Sequence, residues 1–246
     1  MSKRRSRSKM RWLPALIATA LCLALGSAAT GEPAAPLTAV WQDNFDGPTM
    51  DPRWECINEE PDYWSLSERS GFLRIMQLSG EPTKNLLKQA ALPGDYDVTV
   101  RVQFAPSRDF QKAGVVISQG DGNAVYLFRG ACFNPAMAFC NDDAIYFEKW
   151  EQGNFLMQSL DPWTHTDTYL RLSKRGASYT GYASTDGVSW TEVGTWYAPG
   201  ITDPRPGLVA HNPVDDPDPA GIIPADFDFF RLDYQTNIYL PLVNEE

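Results

Sequence analysis

Histidine is nearly missing from this sequence. Two occur in 246 residues, His165 and His211, and no motif links either to a serine or cysteine nucleophile, so a hydrolytic triad or a histidine-rich metal centre is unsupported. Each reads as a loop or strand-end residue. Cysteine is scarce too: the four are Cys22, Cys56, Cys132 and Cys140. Long apolar runs are confined to Trp12–Leu25, which is shorter than the roughly 20 residues of a membrane span. No helical stripe, internal repeat or long low-complexity tract is present. Basic residues are outnumbered, with 21 Lys and Arg against 31 Asp and Glu. Without residues 1–29, which hold six cations and no acid, 15 basic side chains face 31 acidic ones. Such a surface repels phosphate backbones and anionic lipid, which argues against nucleic acid and membrane-surface partners. A neutral sugar is not excluded.

What is present begins with an address. Lys3, Arg4, Arg5, Arg7, Lys9 and Arg11 precede the apolar run, and small residues Gly26–Ala29 follow it, the pattern of a signal peptide over 1–29. Arg4-Arg5 lacks the apolar pair that a twin-arginine signal places after it, so the general secretory route is expected; an uncleaved anchor is the competing reading. Residues 30–38 read as a Pro/Ala linker, 39–235 as the domain, and 236–246, with its IYLPLV, as a tail. After cleavage no stable membrane insertion is expected. Secretion permits oxidation, and Cys132 and Cys140 bracket a turn-rich loop, ACFNPAMAFC, so that pair is predicted as a disulfide. Cys56 is then an unpaired, buried thiol.

From Ala39 to Tyr234 about a dozen to fourteen short segments alternate apolar and polar residues between turn signals, the mark of a sandwich or barrel. In YDVTVRVQF, Val98, Val100, Val102 and Phe104 share one face, and Thr99, Arg101 and Gln103 share the other. AGVVIS, AVYLFRG, AIYFEKW, TYLRLSK, SYTGYAS and WTEVGTWY continue the series. Asp121-Gly122 and Asp186-Gly187 are two-residue hairpin signals. Asn212–Pro224, rich in proline and aspartate, reads as a loop.

The order W.DNFDG, DPRWE, WSL.ER.GFLRI, NLL.Q and GDYDVTVRV, followed near the C-terminus by FDFFRL, resembles the C-terminal concanavalin A-like domain of family 43 glycoside hydrolases, the β-xylosidases. The resemblance spans roughly Val40 to Tyr234. It implies an all-β, concanavalin A-like jelly-roll sandwich of two antiparallel sheets. It also implies an accessory role in xylan degradation, since the catalytic acids of that family lie in a separate β-propeller. A second resemblance, to the jelly-roll family 16 glycoside hydrolases, rests on DNFDG, on the glycine of SGFLRI and on the aspartate opening the closing FFRL strand. It implies a calcium ion held near Asn44, Gly71 and Asp228, with Asp228 as the side-chain ligand. In the competing reading Asp228 only bonds neighbouring amides.

Catalysis finds little support. Jelly-roll retaining glycosidases place two carboxylates about 5 Å apart, but in IYFEKWEQ Glu148 and Glu151 point to opposite faces of a regular strand. STDGVSW, Ser184–Trp190, is similar to a sialidase Asp-box but one residue short, and a hairpin with a packed tryptophan explains it. Asp215, Asp216 and Asp218 read as a solvated acidic loop. Sugar binding needs flat rings and planar hydrogen-bonding groups on an open sheet face. Gln89, Arg101, Gln103, Arg129, Tyr146, Glu148, Trp150 and Arg171, with Thr99 beside them, are the candidates for such a face. An ion-pair layer of Arg101, Arg129 and Glu148 is the alternative. Trp41, Trp54, Trp64, Trp190 and Trp196 read as core. The expected function is therefore a secreted, non-catalytic, lectin-like module for xylan or a related plant or bacterial polysaccharide. A glycan hydrolase or lyase using Glu148, and a structural or adhesive surface protein, are the competing readings.

Overall fold

Nearly every alternating segment becomes a paired strand in the computed structural model, which describes residues 40–235 apart from Leu92, Asp121, Pro135, Ala138, Phe139, Asn141 and Gly153. The expected leader, linker and tail, and the Asp121 half of one predicted hairpin turn, lie outside the described residues. In chain order the strands are β1 (Val40–Asp43), β2 (Glu55–Ile57), β3 (Trp64–Ser65), β4 (Leu73–Ser79), β5 (Leu86–Lys88) and β6 (Asp95–Gln103). There follow β7 (Lys112–Gln119), β8 (Asn123–Cys132), β9 (Asp142–Glu151), β10 (Asn154–Leu160) and β11 (Asp167–Arg175). The last are β12 (Ser178–Ser184), β13 (Thr191–Tyr197), β14 (Arg205–Asn212) and β15 (Ile223–Gln235). Single 3₁₀ turns at Pro61–Tyr63 and Pro219–Gly221 are the only helical pieces among the described residues. Among them no helix is long and apolar enough to cross a membrane.

Two antiparallel layers result. The first runs β4-β15-β6-β11-β12-β13, with β1 on β15 and β3 on β4; the second runs β10-β9-β8-β7-β14-β5-β2. They meet at one corner, where His211 and Asn212 of β14 pair in parallel with Leu78 and Ser79 of β4. The jelly-roll sandwich expected from the sequence is thus present, with its hydrogen-bond ladder carried round that corner from one layer to the next.

Period-two alternation sets the core. Tyr96, Val98, Val100 and Val102 of β6 turn inward to meet Leu170 and Leu172 of β11, Val125 and Leu127 of β8, and Phe147 of β9. The second layer is also covered on its far side, where Val116, Phe128, Ala144, Tyr146 and Val209 form a smaller buried cluster with Phe110, Leu86, Cys140 and Met157 packed against it. That explains why β8 reads as almost continuously apolar.

The DNFDG motif has a mechanical reason. Asp43 accepts the Phe45 amide at 2.9 Å with one carboxylate oxygen and the Trp54 indole at 2.9 Å with the other, while Phe45 turns through a left-handed φ of 57°. Trp54 then packs edge-on against Phe230 at 4.9 Å and Trp41 at 5.8 Å. Each buried ring contributes on the order of 2–3 kcal/mol. The first strand is clasped in this way to the last, Trp41 opposite Leu232.

Cys132 and Cys140 are joined, as their bracketed loop predicts. Cys56 is free and half-buried rather than buried, and desolvation, then Glu59, pushes its thiol up to about 11.

Candidate functional site

The candidates gathered from the sequence do not share one face. Arg101 and Gln103 on β6 and Arg171 on β11 stand on the outer side of the first sheet, with Thr99 beside Arg171. Tyr146, Glu148 and Trp150 of β9 stand on the outer side of the second, since Ile145 and Phe147 between them point into the core. Arg129 shares the inward parity of Val125 and Leu127 and is 2% exposed. It donates to the carbonyls of His165 and Gly130 and pairs with Asp143, so it fastens the chain leading into β11 to the β8–β9 hairpin. Gln89 is buried, its backbone N–H donating to the Pro206 carbonyl at 3.0 Å. The alternative ion-pair layer is absent as drawn: Arg101, Arg129 and Glu148 each have a different partner.

The outer face of the second sheet is built around a buried pair. Glu148 is held by Lys112 of β7, whose ammonium lies 5.8 Å from the ring centroids of both Phe128 and Tyr146. Lys112 crosses over Gly130 to get there; a β-carbon at Gly130 would stand 3.0 Å from the lysine stem and 3.2 Å from Tyr146. Nearby, His211 faces Thr83 Oγ1 through Nδ1 at 3.2 Å, and its Nε2 is buried without a partner. Burial, then the Lys112 charge, pushes the imidazole pKa down to about 3, so the ring is neutral near pH 7. Tyr126 stacks on Phe128 at 5.2 Å. Further along the same strands Trp150 and Phe155 pair at 4.8 Å, and they are 39% and 38% exposed. An enclosed polar pair therefore leads to an open aromatic shelf.

Among the described residues no second carboxylate stands beside Glu148 across the neighbouring strands. Across the strands Glu148 is flanked by Tyr126 and Met157. Glu151 instead accepts the Gly200 amide at 2.9 Å and pairs with Lys149.

The outer face of the first sheet is a field of compensated charge. Arg101 grips Asp167 with two nitrogens, at 2.9 and 2.7 Å, and Asp228 with a third at 2.8 Å. Gln103 adds a bond to Asp167 at 3.2 Å. The Arg101 bond holds the Asp167 carboxyl below its ordinary range. Asp226, on β15 with Asp228, is taken by Arg69 and Arg74. At the expected calcium clamp the side-chain ligand, Asp228, is already engaged by Arg101. Asn44 accepts from Gln42, and Gly71 sits at φ 75° beside Asp46. Among the described residues no group of three or more His, Cys, Asp or Glu could hold a metal ion.

Sequence reasoning missed Lys112, His211, Phe155 and Tyr169. Lys112 and His211 occupy strand ends, and Phe155 belongs to NFLMQSL, where apolar residues run together and no alternation signals a strand. Trp190, expected in the core, lies instead over Arg171 on the outer face.

Known proteins with this geometry can now be set beside it. A family 43 glycoside hydrolase, BlXynB of Bacillus licheniformis, superposes with a TM-score of 0.68 at 21% identity, over 78% of this chain and 38% of that one. Xylan β-1,4-xylosidase of Bacillus halodurans gives 0.65 at 20% over the same shares. SCLam, a non-specific endo-β-1,3(4)-glucanase of family 16, gives 0.57 at 12%, over 83% of this chain and 95% of that one. At these identities the likeness is one of fold, and the chain spans 38% of the length of the first two of these neighbours. No curated protein matches the chain. The profile of the β-xylosidase C-terminal concanavalin A-like domain, however, matches residues 42–205, which takes in β2 to β13 and the Lys112–Glu148 pair. By that match the chain belongs to the family of β-xylosidase C-terminal concanavalin A-like domains.

Proposed function

We propose that this is a secreted, non-catalytic carbohydrate-binding module, with residues 1–29 as leader, 30–38 as linker and 236–246 as tail. It holds a polysaccharide of the xylan type along the outer face of the second sheet. The observation that carries the reading is the exposed Trp150–Phe155 shelf continuing from the Lys112–Glu148 pair. Flat rings cover the C–H faces of a sugar, and neighbouring planar or charged groups fix its hydroxyls. Xylan is the first ligand to try because a structural neighbour is a xylan β-1,4-xylosidase. A single carboxylate flanked by tyrosine and methionine argues for binding over cleavage.

Affinity electrophoresis of the full chain through gels containing soluble xylan tests this. Retardation is expected, and Trp150→Ala weakens it roughly 30-fold, the effect of truncating an aromatic worth about 2 kcal/mol, with the melting temperature nearly unchanged. Reducing-sugar release that Glu148→Gln abolishes would make the face a hydrolase or lyase site instead. Failure to bind any plant or bacterial polysaccharide would favour the structural or adhesive reading.

A further inference from the structure

The opposite face of the sandwich carries a feature that this reading does not use. On the outer side of the first sheet, Thr99, Tyr169, Arg171, Phe229 and Arg231 line an open depression of about 350 Å³, within the roughly 300–1,000 Å³ typical of small-ligand sites. One wall comes from the STDGVSW hairpin. Ser184 and Asp186 accept the amides of its turn, which folds the tip back over the sheet. Gly187 then lies against Tyr169, with room for no β-carbon beyond 3.0 Å, and Trp190 covers the Arg171 guanidinium at 3.9 Å.

Arg171 is the informative residue. Every other arginine among the described residues lies in an ion pair, as expected in a chain with 31 acidic side chains. Arg171 alone among them has no carboxylate partner. Its Nε donates to Thr99 Oγ1 at 3.3 Å, which leaves the two terminal nitrogens directed by the stack on Trp190. The other arginine in the depression is neutralised, because Asp233 binds Arg231 through two oxygens. A planar, pre-oriented, uncompensated guanidinium is a fork for a carboxylate.

The surroundings favour a sugar acid over an acidic peptide. Tyr169 and Phe229 present tilted rings with centroids 6.3 Å apart, and the Gln42 amide lies at the rim. A peptide gains much of its affinity by main-chain pairing at a sheet edge. Here β6 is paired by β11 on one side and β15 on the other, so the floor offers no unpaired ladder. A pyranose needs only rings and side-chain polar groups. We infer that this depression is a second binding site, for a hexuronate unit of an acidic glycan, with Arg171 as the carboxylate receptor.

The test is calorimetric titration of the full chain with a glucuronate-containing oligosaccharide and with the same oligosaccharide after carboxyl reduction. The acidic form is expected to bind at least tenfold more tightly. Arg171→Gln removes that preference, and Arg171→Lys, which keeps the charge but loses the planar fork, retains part of it. Trp150→Ala, on the opposite face, leaves the preference intact, so this site and the xylan reading fail separately. Equal binding of the acidic and reduced sugars by the unaltered protein overturns the inference whatever the variants do. So does an Arg171→Gln protein that folds and still discriminates, or a glutamate hexapeptide that binds as tightly as the uronate.

Discussion

Replacing Lys112 by methionine isolates what the second sheet's outer face does to charge. Methionine keeps most of the stem's volume and its passage over Gly130, but leaves Glu148, which is 4% exposed, without its cation. Removing one partner of a buried ion pair costs about 3–5 kcal/mol, because the remaining charge stays desolvated. For a domain of this size each kcal/mol lowers Tm by roughly 2–4 °C, so Lys112→Met should melt on the order of 6–20 °C below the unaltered protein. The companion double variant, Lys112→Met with Glu148→Leu, removes both charges and should recover most of that loss, since two apolar groups of matching size often equal a buried pair in stability. Urea unfolding followed by tryptophan fluorescence gives the four corners of the cycle. A single variant losing under about 1 kcal/mol, the range of exposed pairs, would mean that water reaches Glu148 and that the pair is not enclosed.

His211 titrates near 3 when folded and near 6.5 when unfolded; its contribution is complete above the unfolded value and lost as pH falls through the window between them. Stability should therefore drop by up to about 1.4 kcal/mol per pH unit there, and His211→Gln should flatten the drop in pH-dependent denaturant melts. EDTA should leave Tm unchanged, because Arg101 already occupies Asp228; a chelation-induced fall would establish a cation site and displace that argument. Reducing the Cys132–Cys140 bond, which closes a loop of sequence separation 8, should cost about 2–3 kcal/mol through chain entropy, measurable as lower Tm in dithiothreitol.

The strands were legible because each inward position of YDVTVRVQF is apolar and each outward one polar, a signal that survives without neighbours. Which layer a strand joins was not legible. Arg101 and Glu148 have the same outward character, yet one sits in each sheet, since layer membership depends on long-range pairing rather than local period. Arg129 could have been placed by parity, standing two and four residues after inward-facing Leu127 and Val125. Its polarity misled because the buried needs of the His165 and Gly130 carbonyls cannot be read from AVYLFRG. Trp190 was misplaced for a different reason. A tryptophan behind a tight turn packs wherever the turn leans, and here Ser184 and Asp186 tip it outward. His211 and Lys112 become conspicuous only once folding brings their strand ends onto one face.

The zipper between the first and last strands in chain order has a mechanical consequence. Val40 lies opposite Asp233, only two residues before β15 ends at Gln235, so the start of the first strand and the end of the last lie side by side. Tension applied between them would peel that ribbon from its tip, one bond at a time, instead of loading all its rungs together in shear. A partner tethered upstream and another tethered downstream would consequently share a single, easily yielding anchorage.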